Sequence, residues 1–150
     1  MKPCALLIAA LLSATSGTPS AGGRFLFPTA QTTYSWPLRL GGRIGLNLLE
    51  PDGSSRFSHS AAGVSVDAGR DGMKLGIGCG RRWMSFLPAY GGGLAVSGMY
   101  VWEGDDSAFL GLEASVSVML VSLYGGVYRR ISGEALEDLV LSVGIGSGLP

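Results

Sequence analysis

The chain is poor in charge, in histidine and in cysteine. Lys, Arg, Asp and Glu make up 15% of its 150 residues, against roughly 25% in an ordinary soluble domain. The formal net charge is zero, so no basic face is on offer to nucleic-acid phosphates, and no nucleic-acid partner is expected. One histidine and two cysteines without close ligand spacing cannot build a structural zinc site. Cys4 precedes the first apolar run, so it is not placed as a lipoprotein cysteine. If that run is removed, Cys79 is the one thiol left and no internal disulfide forms. Beyond residue 21 no apolar stretch reaches the roughly 18 residues that a transmembrane helix needs.

What is present begins with a leader. Lys2 supplies a positive start, Ala5–Leu12 (ALLIAALL) is unbroken apolar sequence, and Ser13–Ala21 (SATSGTPSA) is small and polar. The apolar core is too short to span a bilayer but fits a secretory signal peptide. The expected division is a signal helix over residues 1–21, cleaved after Ala21 or near Ser16, and one domain over 22–150. That length holds a single domain.

The second feature is glycine, 25 of 150 residues where about 7% is usual. The glycines follow no collagen period and lie inside apolar runs, so they do not make a linker. Those runs alternate with period two, the mark of strands. Ile44, Leu46 and Leu48 begin the series. Ala62–Ala68, Met73–Cys79, Leu110–Leu120 and Leu139–Ile145 continue it. Gly91–Trp102 and Leu123–Ile131 are less regular strand candidates. Residues 24–40 supply one more strand through Phe25–Phe27, Tyr34, Trp36 and Leu38, with Pro28 and Pro37 at its end or edge. Turn chemistry separates the runs at Pro51-Asp52-Gly53, Arg70-Asp71-Gly72, Glu103–Asp106 and Gly133-Glu134, and Asp-Gly suits a tight hairpin by accepting positive φ. Around Val121-Ser122 turn residues are scarce, which predicts long strands before a reversal. Glu134–Asp138 offers a single helical turn, too short to stand alone.

The two faces of these strands differ. One is Leu, Val, Ile, Ala and Met; the other is Gly and Ser with a rare charge. A soluble β-protein wets its polar face with Lys, Glu, Thr and Gln. A face this small and uncharged suits the crowded interior of a narrow barrel, leaving the aliphatic face for lipid. Closure also satisfies every backbone donor and acceptor, as hydrocarbon requires. About 129 residues remain after residue 21, enough for seven or eight strands of about 9–11 residues. The predicted fold is therefore all-β, a small antiparallel up-and-down β-barrel of about eight strands. Tyr90, Tyr100, Trp102, Phe109, Tyr124 and Tyr128 are candidates for aromatic girdles at the two interfaces.

With stretches such as Phe109–Leu120 (FLGLEASVSVML) and Leu139–Gly148 (LVLSVGIGSG) behind a leader, the chain resembles the small eight-stranded bacterial outer-membrane barrels, the OmpA-like and OmpX-like class. The resemblance implies an outer-membrane location, contact with membrane lipid and handling by the outer-membrane assembly machinery. Barrels of that class end in an aromatic residue, whereas Gly148-Leu149-Pro150 stands here.

Alternation places Arg39, Arg43, Asp67, Lys74 and Glu113 on the small-residue face, with Arg130 as a further member. Glu113 is mid-strand, where a carboxylate needs a cation. Arg43, Lys74 and Arg130 are its candidate partners. Such a lumen network acts as a salt-bridge plug that sets register, or as a selectivity or gating site. Phe57-Ser58-His59-Ser60 puts the one histidine beside serines, but a catalytic triad needs Ser, base and carboxylate to converge. No catalytic residue, metal site or cofactor is assigned. Gly76–Gly80 is followed by strand and not helix, so it is no phosphate cradle, and Gly91–Gly93 reads as close packing or a bend. The expected role is structural, interacting or that of a minor pore. Two alternatives remain open: a lipid-modifying barrel enzyme of the lipid A deacylase or acyltransferase kind, and a soluble periplasmic lipocalin-like barrel that turns its aliphatic face inward onto an apolar ligand.

Overall fold

The structure is a computed structural model that describes residues 24–51, 57–84, 90–102, 106–133 and 137–149. Eight antiparallel strands form one closed barrel in sequence order. They are β1 (Phe25–Trp36), β2 (Arg39–Pro51), β3 (Ser58–Gly69), β4 (Gly72–Trp83), β5 (Tyr90–Val101), β6 (Ser107–Val118), β7 (Val121–Ser132) and β8 (Leu139–Leu149). The barrel closes where β1 pairs with β8, from Ala30 against Leu149 to Trp36 against Val143. No helix among the described residues is long and apolar enough to cross a membrane. The predicted leader, the helical turn at Glu134–Asp138 and the turns at Asp52-Gly53 and Glu103–Asp106 lie wholly or partly outside the described residues.

The connections are short, from two residues at Pro37-Leu38, Arg70-Asp71 and Met119-Leu120 to six at 52–57, 84–89 and 133–138. One rim, the terminal rim, holds the start of β1 and the end of β8; the far rim holds the β1–β2, β3–β4, β5–β6 and β7–β8 connections. Two local expectations are corrected. The strands around Val121-Ser122 do not run on, because the chain reverses at Met119-Leu120 with Met119 at φ 54°. A non-glycine residue carries this left-handed turn, so turn composition does not reveal it. Gly72 is not at positive φ either. It is needed for space, since a Cβ there would press on the Tyr100 carbonyl oxygen and stand 2.7 Å from the Leu38 Cδ2 atom.

The side chains divide by parity. Leu40, Ile44, Val64, Leu75, Ile77, Leu94, Val96, Leu112, Val127, Leu141 and Val143 are all exposed on the outer wall, and every strand contributes to this belt. A lipocalin-like barrel would turn that face inward, and here it points out. The interior toward the far rim is filled by Leu38, Met99, Phe109 and Tyr128. Leu38 enters this cluster from the β1–β2 turn.

Four of the lumen glycines, Gly111, Gly126, Gly144 and Gly146, adjoin two tyrosine side chains. The Tyr124 ring lies over Gly144, where the atoms nearest an added Cβ would be that ring and, at 2.7 Å, the Ser35 Cβ. The Tyr128 ring lies against Gly111 and Gly126, where a Cβ would also meet the Val127 and Leu112 carbonyl oxygens. A ring folded flat against the wall needs a neighbour with no side chain. Gly144→Ala therefore overpacks the lumen and costs about 1–3 kcal/mol. In a Tyr124→Leu background the same change should cost measurably less, as read from urea unfolding in detergent. An equal penalty in both backgrounds would contradict this packing.

Candidate functional site

The centre of the lumen holds a cluster of four charges. Register sets three of them in a row, because Arg43 on β2 pairs with Asp67 on β3 and Asp67 pairs with Lys74 on β4. Glu113 on β6 reaches them from across the lumen. Arg43 donates through Nε to Asp67 Oδ1 at 2.9 Å and through Nη2 to Asp67 Oδ2 at 2.6 Å, a bidentate pair. The same Nη2 donates to Glu113 Oε1 at 2.8 Å. Lys74 Nζ donates to Glu113 Oε2 and lies 3.2 Å from Asp67 Oδ2. Tyr128 donates its hydroxyl to Glu113 Oε2 at 3.0 Å. The Arg43 guanidinium sits 4.1 Å from the Tyr124 ring centroid, within cation–π range.

Two cations and two anions cancel. Asp67, Lys74 and Glu113 are nearly inaccessible to solvent, and a lone ion there would cost several kcal/mol. The cluster is thus a set of groups that tolerate burial only together. It also joins β2, β3 and β4 to the opposite wall, which fixes the walls against one another.

Arg39 and Arg130 are not part of it, which corrects the sequence expectation. Arg39 lies at the far rim, half-exposed, with its Nε 2.7 Å from Asp71 Oδ2. Arg130 bonds Asp138 and the Gly133 carbonyl, also at the far rim. Parity told which face each occupies but not its height in the barrel. Sequence reading also missed Tyr124 and Tyr128, and with Phe109 it assigned them to the girdles. All three are buried inside. Their parity with Ser122 and Gly126, on the small-residue face of β7, was the available signal. Gln31 was missed as well; its Nε2 donates to Ser122 Oγ at 2.7 Å, tying β1 to β7.

Exposed aromatics do gather at the two rims. Tyr34, Trp36, Tyr100 and Trp102 lie near the far rim, and Phe57 and Tyr90 near the terminal rim. Trp83 stacks on Tyr90 at 5.1 Å there. Tyr90 and Tyr100 are ten positions apart on β5. At about 3.3 Å per residue and a tilt of about 40° their separation in height is about 25 Å, the height of a membrane barrel's apolar band. Charged residues on the outer wall stay near the rims, as with Arg24, Glu50, Arg81 and Arg129.

His59 lies in β3 and not in a loop. Its Nδ1 is 3.2 Å from the Phe57 carbonyl oxygen and its ring is edge-on to Phe25 at 5.6 Å. Among the described residues neither a serine nor a carboxylate engages it. No group of three His, Cys, Asp or Glu that could hold a metal ion occurs among the described residues. No protein-family model, curated protein or solved structure matches the chain.

Glu113→Gln leaves three charges with an uncancelled positive one. It should cost about 3–5 kcal/mol of unfolding free energy. Adding Lys74→Met restores neutrality and should return a large part of the loss. Arg130→Ala removes an exposed pair and should cost less than about 1 kcal/mol. Urea titration of refolded protein in detergent measures all three. An unchanged Glu113→Gln midpoint would contradict the structural role of the cluster.

Proposed function

We propose that residues 22–150, exported behind a signal peptide of residues 1–21, form an outer-membrane β-barrel that spans the bilayer and is neither an enzyme nor an open pore. The observation that carries this reading is the outer wall. Aliphatic side chains dominate the outer face of β2 to β8, Leu26 joins them from β1, and exposed aromatics gather at both rims. A soluble exterior rarely shows a contiguous apolar patch beyond a few hundred Å², whereas lipid accepts such a belt and the aromatic rings favour its interfaces. Membrane lipid is the first partner this surface implies. The outer-membrane assembly machinery is the second, because a barrel of this kind has to be inserted.

The filled far half of the lumen argues for a structural barrel over a conducting one. Leu38, Met99, Phe109 and Tyr128 pack there, and behind them the four charges cancel. Connections of at most six residues also leave little loop surface for a large protein partner. Among the described residues no nucleophile, base and carboxylate converge around His59 in support of the lipid-modifying alternative.

The three tryptophans, Trp36, Trp83 and Trp102, test the membrane reading. Variants that keep one of them, with Phe at the other two positions, are refolded into vesicles containing brominated lipid. Each should be quenched more strongly by bromine near the headgroup than by bromine at the chain end. Absence of quenching by either lipid would overturn the proposal, and so would stronger quenching at the bilayer centre.

A further inference from the structure

The terminal half of the lumen is not filled as the far half is. Between the charge cluster and the terminal rim lies a cavity of about 140 Å³. Its walls include Thr29, Asn47, Ser65, Ser115, Ser117 and Ser122, with glycines between them. Every one of these side chains offers a neutral hydrogen-bonding group. The floor is Arg43 and Glu113, already paired with each other. Arg81 and Arg82 also border the cavity and each is already engaged in an interaction.

One lining group has its bonding capacity unused. Tyr124 is 3% exposed, and its hydroxyl is buried without a hydrogen-bond partner. The Thr33 side chain is its candidate partner, but the two do not meet full hydrogen-bond geometry. The hydroxyl shares the space above Gly146 with the Gln31 Oε1 atom: a Cβ on Gly146 would be 2.8 Å from the first and 2.9 Å from the second. Both residues line the cavity. A buried hydroxyl left without a partner is costly, so its place beside a polar chamber points to an occupant that bonds it.

We infer that this chamber binds a small neutral polyol, a molecule of glycerol size. The volume sets the size, since a cavity of about 150 Å³ takes a six-carbon ring. The lining sets the chemistry. A hydrocarbon chain would strip water from the serine, threonine and asparagine groups and return no hydrogen bonds. An anion would lie against Glu113 and a cation against Arg43, upsetting a cluster whose charges already cancel. Vicinal hydroxyls donate and accept as the walls do. The inference stands on the barrel interior and does not depend on the membrane reading.

Glycerol, inorganic phosphate and hexanoate are titrated in turn into isotope-labelled protein refolded in detergent, and backbone amide shifts are followed. Glycerol should move the amides of Gly63, Gly78, Gly93 and Ser117 along saturable curves, while amides at the far rim stay still. Ser115→Leu fills the chamber and should abolish the response. Tyr124→Phe keeps the volume, removes the hydroxyl and should weaken binding roughly fivefold. Heat-modifiable migration on a gel confirms that each variant is folded, so loss of binding is distinct from loss of the barrel. The inference is overturned if glycerol gives no saturable shift at these amides, if phosphate or hexanoate binds there more tightly, or if Ser115→Leu responds as the unaltered protein does.

Discussion

Closure between β1 and β8 is the constraint on which the rest of the structure depends. A sheet of eight strands with an aliphatic face has two edges and one apolar surface to manage. Closing it removes both edges and pairs the strand backbone within the wall. It also creates a lumen so narrow that the inner face must be built mostly from glycine, serine and a few large side chains laid flat. The Tyr124 and Tyr128 rings against Gly144, Gly111 and Gly126 are the direct result. The same closure forces the charges of β2, β3, β4 and β6 within bonding distance of one another, so their signs must balance.

The lumen is layered. From the far rim inward come the β1–β2 turn with Leu38, an apolar layer with Met99, Phe109 and Tyr128, the neutral charge cluster, and then the polar chamber. Each layer satisfies a different condition. The apolar layer excludes water, the cluster ties opposite walls, and the chamber is lined by neutral hydrogen-bonding side chains. On the outside the order is simpler: an aliphatic belt between two groups of exposed aromatics. Inside and outside thus differ from the arrangement of a soluble barrel, and one cause explains both, since the wall has only two faces and the outer one is mainly aliphatic.

Most of the fold was legible because period-two alternation is a direct image of the wall. Leu110, Leu112 and Val116 alternate with Gly111, Glu113 and Ser115, and the faces follow from that. Parity also placed Arg43, Asp67, Lys74 and Glu113 on one face. Height within the barrel was not legible, because it depends on register between strands, and register is set by contacts that no single strand encodes. Arg39 and Arg130 therefore shared the right face and the wrong level. Phe109, Tyr124 and Tyr128 were misplaced for a different reason. Aromatic rings suit both a lipid interface and a packed lumen, so residue type outweighed the parity that marked them as internal. The Met119-Leu120 reversal was hidden because neither residue has the chemistry of a turn.

The central claim is that the aliphatic wall faces lipid and not water. It is tested most directly by folding the domain with and without an amphiphile. The account predicts that residues 22–150 acquire β-structure and heat-modifiable migration only when detergent or lipid vesicles are present, and aggregate in plain buffer. Recovery of a folded, monodisperse protein from buffer free of detergent and lipid would contradict it.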